Sequence, residues 1–274
     1  MLTSQLFDIK NKVVVVTGAS GFIGSEISCS LAEVGCKVTL LFNNNSPSEE
    51  IIARLSKSNS DFEIFKCDVT NDEDIISCKD KILNKFGTID ALINCAGGNH
   101  PDATTGPENS FFNIPADAFE WVIKLNLMGS IRPCQIFGKE FAKNNKGNIL
   151  NISSMAAIRP LTKIPAYSSS KAAINSFTKW LSVHMAKEYS KDIRVNAIAP
   201  GFFLSKQNKF LLINEKTGKY TERGNSIIEN TPMKKFGNPK ELVSTVIWLL
   251  SDHSNFITGV IVPVDGGFDA FGGV

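Results

Sequence analysis

Histidine is scarce in this chain. There are three in 274 residues, His100, His184 and His253, and a zinc enzyme needs several such ligands brought together. No metal site is expected. The six cysteines (Cys29, Cys36, Cys67, Cys78, Cys95, Cys134) are scattered, with no CxxC pair and no neighbouring histidine. They read as buried reduced thiols rather than as a redox or metal motif. An excess of one charge is missing as well. The formal net charge of +2 gives no polyanion-binding surface, so no nucleic-acid partner is expected. No apolar run is long enough to span a bilayer, and the opening MLTSQLFDIKNK lacks the core of a secretory signal. A cytoplasmic protein without a membrane partner is the expectation.

The chain has a composition that can build a large core: 43% hydrophobic and 20% charged. Short β-branched runs alternate with longer helical patterns. The runs are KVVVVT (12–17), KVTLLF (37–42), FEIFKC (62–67), ALIN (91–94), GNILNIS (147–153), IRVNAIA (193–199) and VIVPV (260–264). Helical patterns fall near 23–34, 48–57, 71–86, 116–144, from Tyr167 onward, and near 239–251. Such alternation predicts a parallel sheet with right-handed crossovers. The expected fold is α/β, a single Rossmann-type, doubly wound, seven-stranded parallel sheet with helices on both faces. No repeat or linker divides it, so residues 1–274 read as one domain.

The first strand runs into Gly18-Ala19-Ser20-Gly21-Phe22-Ile23-Gly24 and then a helix. A pyrophosphate held by backbone N–H groups at a helix N-terminus requires a turn without side chains. This strand–glycine–helix context therefore predicts a dinucleotide loop, although its spacing is GxxGxxG rather than GxGxxG. The ribose partner is expected at the end of the second strand, where the chain reads Phe42-Asn43-Asn44-Asn45. No carboxylate there repels a 2′-phosphate and no arginine grips one, so NAD and NADP both stay open.

Tyr167 precedes Lys171 by one helical turn in AYSSSKAAINSF, which places phenol and ammonium on one face. The pattern is common by itself. With the other motifs, the chain resembles the short-chain dehydrogenase/reductase family over nearly its whole length. The loop 17–24 matches the family's cofactor loop in position, with the spacing of its extended branch. Asp68-Val69 matches the pair flanking the adenine. Asn94-Cys95-Ala96-Gly97 matches the Asn-Ala-Gly signature with a cysteine standing for the usual asparagine. Pro200-Gly201 and Val264-Asp265-Gly266-Gly267 match the two C-terminal signatures.

The resemblance implies a catalytic tetrad of Asn126, Ser154, Tyr167 and Lys171. Ser154 is preferred to Ser153 because it stands 13 residues before Tyr167. Tyr167 is then the general acid or base, Ser154 holds the substrate oxygen, and Asn126 orders a water that passes protons to the lysine. Lys171 lowers the phenol's pKa, together with the oxidised nicotinamide, and holds the nicotinamide ribose. The resemblance implies NAD or NADP as cofactor, with contacts from Gly18, Ser20, Gly21, Phe22, Ile23, Gly24, Asn43, Asp68, Val69, Asn94, Ala96, Gly97, Tyr167, Lys171, Pro200, Gly201, Phe203 and Ser205. It also implies a homo-oligomer, a tetramer in the family. Trp121 and Trp180, on helices that pair across subunits there, suit a core and an interface equally.

Two segments bear on the substrate. The loop GGNHPDATT carries Asn99 and His100, and the polar stretch at about 202–237 has the length of a lid. Arg223, between Thr221 and Gly224, and Arg159, five residues after Ser154, are candidate carboxylate clamps. His100 reads as a polar wall. GGNHPDATT, Phe111-Phe112, PGFF, TERG, ENTPMKKFG and VDGGFDAFGGV together resemble the D-mannonate oxidoreductase (fructuronate reductase) branch. The expected partner is a small polar, anionic alcohol or ketone. Another polyol or keto-acid dehydrogenase (gluconate 5-dehydrogenase-like), a 3-oxoacyl carrier-protein reductase and a non-catalytic dinucleotide sensor are the alternatives. The C-terminal tail from Phe268 suits either a cover for a neighbour's site or a frayed end.

Overall fold

The first strand, β1 (Val13–Thr17), is VVVVT and buried throughout, as a central parallel strand covered on both faces must be. A computed structural model describes residues 6–204, 209–215 and 217–273. It adds β2 (Lys37–Phe42), β3 (Phe62–Lys66), β4 (Ala91–Asn94), β5 (Gly147–Ile152), β6 (Ile193–Pro200) and β7 (Ile261–Val264). All seven are parallel, in the order β3-β2-β1-β4-β5-β6-β7. The expected α/β, doubly wound sheet is the one observed. Order reverses between β1 and β4, which opens a crevice at their carboxyl ends.

Alternation along β1 sends its side chains to opposite faces. Val14 and Val16 pack with Ile27 and Leu31 of α1 (Phe22–Glu33), Leu55 of α2 (Glu49–Lys57), and Leu242 and Val246. Val13 and Val15 pack with Ile82 of α3 (Asp72–Phe86), Phe137, Phe141 and Leu181. The two apolar layers hold the sheet rigid, so the loops at its carboxyl edge are fixed at their roots. Among the described residues no helix is long and apolar enough to cross a membrane.

The helix expected over 116–144 is interrupted. It divides into α4 (Ala116–Ile123), a π-turn (Lys124–Met128) and α5 (Gly129–Asn144). The cause is Asn126, which is fully buried and donates from Nδ2 to the Val122 carbonyl at 2.8 Å and to the Gly98 carbonyl at 2.7 Å. A side chain that takes a helix carbonyl displaces the backbone ladder and widens the turn. The helix that carries Tyr167 and Lys171 is α6 (Pro165–Glu188), started by Pro165 in its first turn. Further along lie α7 (Lys209–Leu212), α8 (Glu222–Glu229) and α9 (Lys240–Leu250).

Candidate active site

The end of β1 builds the first half of the site. Gly18 has φ +62°, and a Cβ on it would stand 2.7 Å from the Ala96 Cα. A Cβ on Gly24 would stand 2.4 Å from the Gly18 carbonyl oxygen, so α1 lies hard against the turn. Gly21 is the N-cap of α1 and provides no side-chain acceptor, which leaves the first-turn N–H groups at Phe22 and Ile23 for an external partner. Ser20 completes that bend. Thr17 Oγ1 accepts from the Cys95 and Ala96 N–H groups, each at 3.1 Å, and ties the turn after β4 to the glycine loop. A bare, donor-rich cradle of this kind fits a dinucleotide pyrophosphate.

The other candidate cofactor residues fall into two groups. Asn43 is exposed at the end of β2, and Pro200 and Gly201 end β6, where a Cβ on Gly201 would meet the Asp265 Cα at 2.6 Å. Ala96 and Gly97 border the crevice. Asn94 instead turns its carboxamide into the sheet, donating to Asn151 Oδ1 at 2.9 Å and Cys134 Sγ at 3.2 Å. It presents only backbone to the crevice. Asp68 Oδ1 accepts from Thr70 N and Oγ1, both at 2.8 Å, and Val69 is buried against Gly129. Phe203 is 7% exposed, with its ring against Gly237. Ser205 lies outside the described residues.

The tetrad residues converge. Ser154, extended just past β5, accepts from the Ala156 N–H at 3.1 Å and caps the 3-10 turn Met155–Ala157. Ser153 is turned inward, donating to Asn175 Oδ1 at 2.5 Å, so the geometry separates the two serines. Lys171 is 4% exposed, and its Nζ stands 5.7 Å from the Tyr167 ring centre and donates to the Ile152 carbonyl at 2.8 Å. Asn126 grips the turn after β4, accepting from the Gly98 N–H at 3.2 Å and donating to the Gly98 carbonyl. A Cβ on Gly97 would lie 2.6 Å from Asn126 Oδ1 and 3.3 Å from Lys171 Nζ, so this turn closes on both.

Burial sets the charges. It pushes the Lys171 ammonium down to about 8. It pushes the Tyr167 phenol up, against the Ser154 hydroxyl beside it, which favours the ionised form. The expected lowering of Tyr167 by Lys171 is therefore not set by the protein alone. At neutral pH the phenol keeps its proton and Lys171 is mostly cationic, which is the proton-donating form. Ketone reduction is thus expected to hold its kcat/KM below about pH 8 and lose it as pH rises and Lys171 discharges. A profile measured from pH 6 to 10 that stays flat through 8 would contradict the assignment to Lys171.

A cavity of about 600 Å³ lies between the 159–163 loop, α8 and the C-terminal tail. Its loop, 159–163, lies between Ser154 and Tyr167 in the chain. Arg159 and Arg223 both line it, as do Phe202 and Phe268, whose rings meet edge to face at 5.2 Å. Arg223 has no ion pair or hydrogen bond among the described residues. Arg159 binds Asp269 of the tail. The tail therefore folds onto its own chain. Phe202 and Phe268 fall in the PGFF and VDGGFDAFGGV stretches that the sequence singles out, whereas Lys163 and the pairing of Asp269 with Arg159 had no sequence signal.

Asn99 and His100 do not line this cavity. Asn99 donates to Thr104 Oγ1 at 2.8 Å, and His100 accepts from the Asp102 N–H at 3.2 Å while its ring meets Trp121 edge-on. In this loop His100 is a turn cap.

A crevice for a dinucleotide with a Ser–Tyr–Lys set describes an alcohol–ketone oxidoreductase. Residues 18–269 match the family described as Enoyl-(Acyl carrier protein) reductase, of the short-chain dehydrogenase type. The chain is 43% identical over 276 residues to an uncharacterized oxidoreductase, UxuB, of Bacillus subtilis, spanning 97% of this chain and 98% of the relative. It is 30% identical to glucose 1-dehydrogenase 2 of Bacillus subtilis, spanning 96% and 97%. A crystal structure from Haemophilus influenza, provisionally named a D-mannonate oxidoreductase and holding bound NAD, superimposes with TM-score 0.90 at 41% identity, spanning 97% and 98%. The chain belongs to the short-chain dehydrogenase/reductase family, and is an NAD(P)-dependent enzyme acting on an alcohol or ketone.

Proposed function

We propose that the enzyme interconverts a sugar acid and its keto form, with D-mannonate and D-fructuronate as the pair. The observation that carries this is Arg223, a guanidinium with no ion pair or hydrogen bond among the described residues, on the wall of a cavity shared with Arg159 and the loop that follows Ser154 in the chain. A guanidinium without a carboxylate partner suits a planar anion that it can grip with two parallel hydrogen bonds. The similarity to the provisionally named D-mannonate oxidoreductase supports the same substrate.

When bound, the nicotinamide gives or takes the hydride. The chain's own residues do the rest. Gly18, Gly24 and the N-terminus of α1 cradle the pyrophosphate. Ser154 donates to the substrate oxygen, and Tyr167 gives its proton to that oxygen in reduction or takes it in oxidation. Lys171, held by the Ile152 carbonyl, keeps a positive charge one turn from the phenol. Asn126 fixes the 97–98 backbone against Lys171. Glu222, Arg223, Ser226 and Ile227 of α8, within the expected lid segment, wall the cavity, and the Phe203 ring packs on Gly237. The exposed face of α6, with Trp180 at 58% and Val183 at 58%, supports a homo-oligomer, which sedimentation of the purified protein would test.

The test is oxidation of NADH and of NADPH, in parallel, with D-fructuronate. Fast turnover supports the reading, and the ratio of rates measures what the uncharged residues 43–45 leave open. Turnover only with neutral keto-sugars or acyl ketones overturns the substrate. Arg223→Ala is expected to raise KM for the acid by about tenfold or more, with little change for a neutral ketose. Equal changes in both would remove the clamp.

A further inference from the structure

The cavity lined by Arg223 holds more charge than one carboxylate clamp requires. Arg159, Lys163 and Arg223 line it, with Glu222 at the start of α8. The tail adds a second carboxylate. Asp269 Oδ1 accepts from Arg159 Nε at 3.1 Å, and the Asp269 backbone carbonyl accepts from Arg159 Nη2 at 2.5 Å. Arg159 is thus committed within the protein, whereas Arg223 and Lys163 have no side-chain partner among the described residues.

The position of Asp269 is built by the turn before it. Asp265 Oδ1 accepts from the Gly267 N–H at 2.9 Å, and Oδ2 accepts from the Asp269 N–H at 2.7 Å. Gly266 and Gly267 stand at φ 66° and 88°, in the left-handed region that glycine adopts without a steric penalty. The Met233 N–H donates to the Gly266 carbonyl at 3.1 Å, and Phe268 packs on Phe202. Four separate contacts therefore converge to hold one carboxylate against Arg159, a guanidinium of the cavity wall.

We propose that Asp269 determines substrate charge: by neutralising Arg159 it leaves the cavity one positive charge in excess, which selects a singly charged acid over a doubly charged one. Three cations against two carboxylates match a single substrate carboxylate. A second one would lie among oxygens already supplied by Asp269 and Glu222, and like charges at close quarters discriminate by repulsion. The side chains of Arg159 and Asp269 are 53% and 31% exposed, so solvent screening keeps the effect to about tenfold rather than thousands.

This inference rests on the reading of the site as one for sugar acids, and the test separates the two. Binding of D-gluconate, D-glucarate and neutral D-glucitol is measured by calorimetry on enzyme saturated with NADH, which cannot oxidise them. The wild type is expected to bind gluconate more tightly than glucarate. Asp269→Asn is expected to shift that ratio toward glucarate by about tenfold, and Asp269→Glu to keep the wild-type ratio. If gluconate still outbinds glucitol but Asp269→Asn leaves the ratio unchanged, the role of Asp269 is overturned alone. If gluconate binds no better than glucitol in the wild type, the acid reading falls and this inference with it.

Discussion

Tyr167→Phe is expected to lower kcat by about three orders of magnitude, the middle to upper range for losing a positioned general acid. The phenylalanine fills the same space on α6, and the Tyr167 side chain makes no hydrogen bond to backbone that would be left unmet. The stability of the fold and the dinucleotide dissociation constant are therefore expected to stay close to wild type. The substrate oxygen, by contrast, loses its only titratable donor within the Ser154–Tyr167 pair. Ser154 can still hold that oxygen, but its hydroxyl is too weak an acid to take over the proton. Steady-state rates with a keto substrate, read beside cofactor titration by fluorescence, check both halves. Near-normal turnover would end the assignment, and a lost dinucleotide affinity would mean that the ring itself shapes the crevice.

Much of the fold was legible because its signals are local. Four consecutive valines can be satisfied only in a strand covered on both faces, and Gly18 through Gly24 state a backbone requirement that no other residues meet. The spacing of Tyr167 and Lys171 is a helical turn, so their shared face follows from helix geometry. Ser154 and Ser153 are adjacent in sequence, and only the partner of Ser153, Asn175 on the neighbouring helix, shows which of them points inward. Asn126 illustrates the opposite limit. Its helix has the periodicity of one unbroken element, and the π-turn accompanies an Asn126 side chain that takes the Val122 carbonyl of its own helix and reaches Gly98, 28 residues away. Asn94 likewise reads as a crevice residue until Asn151 claims its carboxamide. The pairing of Arg159 with Asp269 spans 110 residues and has no periodic or compositional trace. Contacts made by long-range side-chain chemistry are set by the assembled sheet, and so appear only with it.

Gly18→Ala is expected to cost both stability and cofactor affinity, because the residue meets two constraints at once. Its φ of +62° lies where a Cβ costs about 1 kcal/mol. The added atom would also stand 2.7 Å from Ala96 Cα, 2.8 Å from Ala96 N and 3.0 Å from the Cys95 carbonyl carbon, all backbone atoms that cannot rotate aside. Relief requires the turn after β4 to move away from β1, at a strain of about 1–3 kcal/mol. That movement stretches the bonds from Thr17 Oγ1 to Cys95 and Ala96, and so opens the crevice at the place where the pyrophosphate would lie. The dinucleotide dissociation constant is expected to rise about a hundredfold, close to 2.7 kcal/mol, with a lowered melting temperature in the absence of cofactor. Gly106→Ala is the control: a Cβ there meets nothing within 4 Å, so neither quantity is expected to change. If Gly18→Ala melts early yet binds the dinucleotide with wild-type affinity, the turn serves the fold alone and the cradle must be sought further along α1. If it keeps its melting temperature but loses affinity, the turn has enough slack to absorb a methyl group, and Gly18 is required by the ligand's approach rather than by the packing of Ala96.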